Sequence, residues 1–364
     1  MQLSSTLSWL VDTAAETSGA DRLLAEVGAR LVADGLPLAG GALTLAVPHP
    51  LIARRTWLWR AESREVIEAL GFVAEGLAAA AAASPPGDAG RRWLAELAAG
   101  VVHEDAVGSG PDGPSLCWIG PRPFTPDEVN ALRQAARFAA APLAVLAARV
   151  TLAAALEAYL GRRSAARVLA GPLRRDIGET IQAALLYADL RGFTALSESN
   201  SPAAVISALN AWFDRIAGAV HAFGGEVLKF IGDGVLAIFP VVGGAPRDAC
   251  VAALRAVSAA RAGMAHLDEM RRQQQLPPLP FGAALHLGEM LWGNIGAADR
   301  LDFTAIGPAV NLVSRLEGLC RPLDKTVLVS GIFAAEAGMP LIPLGTHVLR
   351  GIASPCAVFT LPEN

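Results

Sequence analysis

Two acidic residues lie where apolar segments end, and their positions suggest metal binding. Asp189 follows the apolar run IQAALLYA, and Asp233 occupies the Gly-Asp-Gly turn of EVLKFIGDGVLAIFP. If the two segments are neighbouring strands, both carboxylates project from one edge of a sheet. Paired carboxylates without imidazole or thiolate suit hard cations such as Mg²⁺, which in turn suit phosphate chemistry. For either residue alone, an ordinary turn or helix-capping Asp is the alternative interpretation.

A third charged residue, Lys229, lies in the first arm of the same segment. The β-rich arms around Gly-Asp-Gly predict a hairpin, and their apolar character predicts that it is buried. A buried Lys needs a partner, because its charge is costly to remove from water. An ion pair with Glu226 or another carboxylate is one interpretation, and a bound ligand is the other.

Strands and helices alternate around these residues, from about 178 to 364. An amphipathic helix begins after Ser201 and Pro202 and ends at Gly224 and Gly225. Further helices are predicted over DACVAALRAVSAARAGMAHLDEMRRQQQ and PAVNLVSRLEGLC, and further strands over FGAALHLGEMLWGNIG, LDFTAIG, TVLVSG, THVLRGI and CAVFTL. The order strand, helix, hairpin, helix, hairpin predicts an α+β fold with helices on one face of the sheet.

The N-terminal part, residues 1–125, mixes both element types. Helices are predicted over SWLVDTAAETSGADRLLAEVGARLVADG and REVIEALGFVAEGLAAAAAA, and strands over GALTLAVPHP, ARRTWLWRA and SLCWIG. A long helix begins at Thr125 and Pro126 and extends to Leu160, which suggests a connector or a helix-pairing element. With Pro172 breaking the pattern, the predicted divisions are 1–125, 126–176 and 177–364.

Composition limits the class of protein. Hydrophobic residues make up 53% of the chain, but many are alanine, and Phe138–Leu160 is interrupted by Arg149 and Glu157. We therefore expect a cytoplasmic protein without a membrane span. Four scattered cysteines indicate a reducing compartment, and a net charge of −4 argues against a nucleic-acid partner.

Several motifs in a fixed order resemble the class III nucleotide cyclase domain: DLRGFT, LKFIGDGVLAIF and LDFTAIGPAVNLVSRLE. The resemblance covers residues 180–364, about half of the chain. It implies a ferredoxin-like βαββαβ fold and an adenylate cyclase that converts ATP to 3′,5′-cyclic AMP and pyrophosphate. It also implies two Mg²⁺ or Mn²⁺ ions, held at Asp189, Leu190 and Asp233.

The same resemblance assigns the substrate contacts. The substrate-binding set is Lys229, Thr304, Arg350, Gly192, Phe193 and Thr194, and the catalytic set is Asn311 and Arg315. Lys229 and Thr304 are similar to the adenine-reading pair of the bicarbonate-responsive subgroup, Asn311 would orient the ribose, and Arg315 would stabilise charge on the α-phosphate. The backbone of LRGFT would bind the β and γ phosphates. In two departures, Arg350 replaces a usual Lys, and Glu289 stands where some members carry an Arg.

The family's site forms between two domains, so the resemblance implies a homodimer through the cyclase domain and the connector helix. The N-terminal part resembles the end of a GAF-type sensor domain, which would take a small-molecule effector. A guanylate or pyrimidine cyclase and a catalytically silent regulatory module remain the alternatives. His49, His103 and His286 are interpreted as structural, and Trp57 and Trp59 as core or interface residues.

Overall fold

The computed structural model describes residues 4–47, 52–72, 88–108, 113–171, 174–175 and 177–362. The chain forms two compact units, Met1–Tyr159 and Leu160–Asn364. The division thus falls between the boundaries expected near 125 and 176, and the three-part domain organisation stays a prediction. His49 and Pro172 lie outside the described residues.

The first unit is built on a five-stranded antiparallel sheet in the order β3-β2-β1-β5-β4. Its elements are α1 (Ser5–Asp12), α2 (Ala20–Ala33), β1 (Gly40–Ala46), β2 (Ile52–Arg60), β3 (Val66–Phe72), α3 (Asp88–Leu97), β4 (His103–Ala106), β5 (Ser115–Ile119), α4 (Pro126–Phe138) and α5 (Ala140–Leu160). Trp57 and Trp59 are buried in the core beneath α2, as predicted. The GAF-type identity of this unit stays a prediction.

Three helix predictions in this unit need correction. REVIEALGFVAEGLAAAAAA was expected to be a helix, but Val66–Phe72 forms β3 and pairs antiparallel with β2. Its remaining residues from 73 onward lie outside the described part of the chain. The long N-terminal helix is also interrupted, because a 3₁₀ turn at Ala14–Glu16 separates α1 from α2. The helix predicted from Thr125 to Leu160 is divided at Ala139 into α4 and α5. Its start is confirmed, because Thr125 caps α4 by accepting a hydrogen bond from the Glu128 backbone N–H at 3.3 Å.

The expectation that no segment resembles a membrane span is not confirmed. α5 is 21 residues long, with a mean hydropathy of 1.7 in its most apolar stretch. Leu143 and Leu146 of α5 pack in the core of the first unit, whereas Val145 and Leu152 are exposed. Length and composition alone do not establish a span, because the same features occur in helices of water-soluble proteins.

The second unit contains an eight-stranded sheet in the order β12-β13-β11-β9-β6-β8-β7, with β10 paired to β9. Its elements are α6 (Arg162–Ala170), β6 (Ile177–Leu190), α7 (Phe193–Ser199), α8 (Pro202–Ala222), β7 (Glu226–Ile231), β8 (Gly234–Pro240), α9 (Pro246–Gln273), β9 (Phe281–Gly296), β10 (Leu301–Ile306), α10 (Pro308–Glu317), β11 (Val327–Ser330), α11 (Gly331–Ala337), β12 (Ile342–His347) and β13 (Cys356–Thr360). The central strands β9-β6-β8-β7, with α8 and α9, form the predicted βαββαβ core.

Helices cover both faces of this sheet, so the expectation of helices on one face is wrong. Alternate residues of a strand face opposite sides. Ala184 and Leu186 of β6 pack with α8 and α9, whereas Ala183 and Leu185 pack with α10. β6 is therefore apolar on both faces, which explains why its sequence is a continuous apolar run rather than an alternating one.

Local signals at the ends of elements were largely predictive. The Ser201 side chain accepts from the Ala204 backbone N–H at 3.4 Å at the start of α8, and Gly224 adopts a φ of 76° after its end. THVLRGI is an exception, because β12 ends at His347 and Arg350 lies in a turn.

Candidate active site

The fold brings Asp189 and Asp233 together, as the sequence predicted. Asp189 is the second-to-last residue of β6, and Asp233 forms the turn between β7 and β8. β6 pairs antiparallel with β8, so the end of β6 meets the β7–β8 turn. Burial, followed by the nearby charge of Asp233, raises the pKa of Asp189 to about 7.

The carboxylate pair fits a divalent cation. Oδ1 of Asp189 is buried and has no hydrogen-bond partner. A buried acceptor of this kind, beside a second carboxylate, is costly unless a proton or cation compensates it. The described residues include no group of three His, Cys, Asp or Glu side chains able to hold a metal. Ligands beyond the two Asp side chains would thus come from backbone at Leu190, substrate phosphates or water.

A buried tryptophan fixes the turn that carries Asp233. Nε1 of Trp212, in α8, donates a hydrogen bond to the Asp233 backbone oxygen at 2.9 Å. Trp212 is fully buried and packs against Phe281, with ring centroids 5.1 Å apart. The sequence predicts the amphipathic helix that carries Trp212 but does not reveal this supporting role, because the role depends on a contact between separate elements.

Glu317 is a further acidic residue beside the pair, and sequence reasoning missed it. Asp189 lies opposite Gly282 of β9, and a Cβ atom added to Gly282 would collide with Oε1 of Glu317. Burial raises the pKa of Glu317, Arg191 opposes that rise, and Asp233 adds to it. Arg191 itself donates from Nη2 to the backbone oxygen of Lys325 at 2.6 Å.

The residues of DLRGFT that follow Asp189 form a tight turn into a short helix. Gly192 has a φ of 77°, in the left-handed region where glycine is favoured, and precedes α7. Thr194 is exposed, whereas Phe193 packs against the main core. The turn therefore places exposed backbone directly beside Asp189, where the sequence predicted phosphate contacts.

Lys229 differs from its prediction in burial, whereas an ion pair with a carboxylate other than Glu226 is one of the interpretations that the sequence allows. Its side chain is 41% exposed, and it forms an ion pair with Asp302 of β10 rather than with Glu226. Thr304 lies two residues beyond Asp302, so both side chains face the same side of β10. The structure thus brings Lys229 to the strand that carries Thr304, and adds Asp302, which sequence reasoning had not selected.

Asn311 and Arg315 lie elsewhere, on the exposed side of α10. Their spacing of four residues places them on one helix face, as predicted. Arg350 is exposed in the turn after β12, and Glu289 is exposed on β9. All four side chains are therefore accessible to solvent in the single chain.

His286 and His103, which were interpreted as structural, each contact a polar side chain. Nδ1 of His286 lies 2.8 Å from the Ser330 hydroxyl, linking β9 to the start of α11, and burial lowers the pKa of His286 to about 4. Nε2 of His103 lies 2.9 Å from an Asp105 oxygen. The four cysteines are free.

Part of the chain is similar to known nucleotide cyclases. Residues 177–331 match the adenylate and guanylate cyclase catalytic domain. Adenylate cyclase 1 of Rhizobium meliloti is 32% identical over 168 residues, which are 46% of this chain and 25% of that protein. Adenylate cyclase 2 of the same species is 30% identical over 207 residues, which are 56% of this chain and 55% of that protein.

A solved structure of a bacterial light-regulated adenylyl cyclase has a similar fold. It has a TM-score of 0.52 and 20% identity, and the match covers 71% of this chain and 85% of that one. The chain spans about a quarter of the length of the first curated relative. Motifs, fold and matched family agree, and class III cyclases generally use divalent metal ions. Residues 177–331 therefore constitute a class III adenylyl/guanylyl cyclase catalytic domain.

Proposed function

We propose that this protein is an adenylate cyclase that converts ATP to 3′,5′-cyclic AMP and pyrophosphate. The observation that carries the proposal is the Asp189–Asp233 pair, whose buried, unpartnered carboxylate oxygen suits a cation that binds a triphosphate. The two relatives named adenylate cyclase support the choice of reaction.

In the proposed reaction, the ribose 3′-oxygen attacks the α-phosphorus of the same nucleotide. The bond from the α-phosphorus to the bridging oxygen breaks, pyrophosphate leaves, and the 3′-hydroxyl proton passes to water. Two Mg²⁺ or Mn²⁺ ions bound by Asp189 and Asp233 would lower the pKa of the attacking hydroxyl and neutralise the leaving group. The backbone after Leu190, through Gly192, would bind the terminal phosphates.

The remaining groups act on ribose, α-phosphate and base. Asn311 orients the ribose by hydrogen bonding, and Arg315 stabilises the negative charge that develops at the α-phosphate. Arg350 binds the terminal phosphates, where its forked guanidinium gives a different geometry from the usual Lys. These three side chains are exposed in the single chain, which leaves them free to act on a substrate.

Base choice follows from the hydrogen-bonding groups around Lys229. Adenine presents an acceptor at N1 and a donor at its amino group, whereas guanine presents an acceptor at O6 beside a donor at N1. The Lys229 ammonium donates to adenine N1, and Thr304 accepts from the amino group. The choice of ATP over GTP therefore rests on the Lys229–Thr304 pair, and the Asp302 carboxylate beside Lys229 offers a further acceptor for the amino group.

The active site is proposed to form between two chains. The aspartates lie at one end of the sheet, whereas Asn311 and Arg315 are exposed on α10, so one chain supplies the metal site and the other supplies the ribose and phosphate contacts. The exposed apolar side chains of α5 suit helix pairing in the dimer. The first unit would then regulate the site, with a small-molecule effector as its input.

The test is cyclic nucleotide and pyrophosphate formation from ATP, GTP, CTP and UTP, each with Mg²⁺ or Mn²⁺. We expect 3′,5′-cyclic AMP as the main product, and its loss in Asp189→Asn while the fold is retained. Preferred use of GTP would replace the adenylate assignment with the guanylate alternative. Absence of any cyclic product from folded, metal-loaded dimer would favour the regulatory module.

A further inference from the structure

We propose that Glu226 is a positioning residue for Lys229, because it fixes the edge strand β7 to the helix through which the chain enters the catalytic unit. The inference rests on the proposed function for its kinetic consequences. Its structural basis is the contact between Glu226 and the N-terminus of α6.

Glu226 is a buried acid with specific hydrogen-bond donors. Its Oε1 accepts bonds from the Ser164 backbone N–H and from the Ser164 hydroxyl, each at 3.1 Å. Glu226 is 5% exposed and Ser164 is 1% exposed. Nε of Arg163 lies 3.9 Å from Oε2. A buried carboxylate is tolerated only with such partners, and a helix N-terminus adds favourable electrostatics.

The chain makes room for this contact at Gly161. Gly161 has a φ of 81°, and a Cβ atom there would lie 2.9 Å from Oε1 of Glu226. A single residue, Gly161, thus separates the end of α5 from α6 while leaving space for the carboxylate. The glycine at position 161, its positive φ and the burial of Glu226 are therefore all consistent with the contact between Glu226 and the start of α6.

The position of β7 in the sheet makes this contact important for its stability. It is the last strand in the order of the sheet, paired on one side with β8. Its register with β8 shifts between Val227 and Lys229, so a bulge separates Glu226 from Lys229. An edge strand is hydrogen-bonded to the sheet on one side only, and a one-residue slip in its register would turn every side chain to the other face.

Glu226 holds the start of β7 and the ion pair with Asp302 holds Lys229 three residues later. Loss of the contact between Glu226 and Ser164 therefore allows β7 to change its register with β8, and the direction of the Lys229 side chain changes with it. Lys229 contacts the base rather than the reacting phosphate, so the consequence falls on nucleotide binding. Movement of α6 would reach Lys229 by the same route.

The test compares Ser164→Ala and Glu226→Gln with wild type. Glu179→Gln is the matched control. It breaks an exposed ion pair between Glu179 of β6 and Arg167 of α6, the same helix that carries Ser164. We expect Ser164→Ala to raise the KM for ATP about threefold and Glu226→Gln to raise it more, with kcat retained within about twofold. The control should leave both constants unchanged.

A double-mutant cycle separates positioning from general damage. In a Lys229→Ala background, Ser164→Ala should no longer change KM, because its effect passes through Lys229. An effect of the same size in both backgrounds would overturn the proposal, as would equal losses in kcat with constant KM.

Amide hydrogen exchange provides a readout that does not need catalysis. Ser164→Ala should increase exchange in β7 at least tenfold while β6 and β9 stay protected. Unchanged protection of β7 would show that the contact between Ser164 and Glu226 does not stabilise this strand, even in a chain that makes cyclic AMP. Increased exchange of β7 in a chain that makes no cyclic nucleotide would instead support the stabilising contact and contradict the proposed function.

Discussion

Replacing Asp233 with Asn should stabilise the metal-free protein while abolishing turnover. In the native chain, burial and the Asp233 charge raise the pKa of Asp189 from 3.8 to about 7. A rise of that size corresponds to roughly 4 kcal/mol, at about 1.4 kcal/mol per pKa unit. Burial, the larger cause, remains in the variant, and Asp189 is partly exposed to screening solvent. We therefore expect a gain of about 1 kcal/mol.

The sign of the effect depends on pH. The native pKa of Asp189 lies above the unfolded value. Between about pH 4 and 7, the native state therefore keeps a proton that the unfolded state has already released. Native stability therefore falls as pH rises through this window. The Asp233→Asn substitution removes one cause of the raised pKa of Asp189, so stability should fall less steeply in the variant.

The assay is urea unfolding in EDTA at about pH 8 and about pH 5. Asp233→Asn should be more stable than wild type at the higher pH, with the difference near zero at the lower pH. Asp299→Asn, an exposed acid in the β9–β10 turn, is the control and should change neither value. Equal or lower stability of Asp233→Asn at about pH 8 would show that the two carboxylates do not repel each other as described.

Three further predictions concern the groups that support the site. Trp212→Phe should cost about 2 kcal/mol of unfolding free energy and weaken Mn²⁺ binding measured by calorimetry, because the Asp233 turn loses its hydrogen bond; unchanged Mn²⁺ affinity would contradict the supporting role. Gly282→Ala should cost about 1–3 kcal/mol in thermal unfolding and slow turnover, because the new methyl group displaces Glu317, and wild-type stability would argue against that contact. Since burial lowers the pKa of His286 to about 4, the unfolded chain binds this proton first, so stability should fall as pH decreases from about 6.5 to about 4. His286→Gln should reduce that slope in urea unfolding, and an unchanged slope would assign the acid sensitivity to other groups.

The metal-binding half of the site could be predicted because its signals are local. Asp189 ends an apolar strand and Asp233 occupies a glycine turn, so sequence position alone indicates the sheet edge. Helix starts at Thr125 and Ser201 were predictable for the same reason, since capping depends on neighbouring residues. The antiparallel pairing of β6 with β8 then brings the two acids together.

The errors arose where distant contacts decide the structure. VIEALGF has apolar residues at spacings that suit a helix, but pairing with β2 makes it a strand. The partner of Lys229 lies 73 residues away, on β10, which is held in place by its pairing with β9. Glu226, one candidate partner for Lys229, is instead buried against Ser164, which lies within the segment predicted as the connector.

Complementation between inactive chains is the most direct test of a cyclase site shared by two subunits. Asp189→Asn lacks the metal site and Asn311→Ala lacks the ribose contact, so each homodimer should be inactive. A mixed dimer places both lesions in one site and leaves the other intact. With random exchange of subunits, half of the dimers are mixed, and about a quarter of wild-type cyclic AMP formation should return. If exchange is verified and no activity returns, each chain builds its site alone and the shared-site account is wrong.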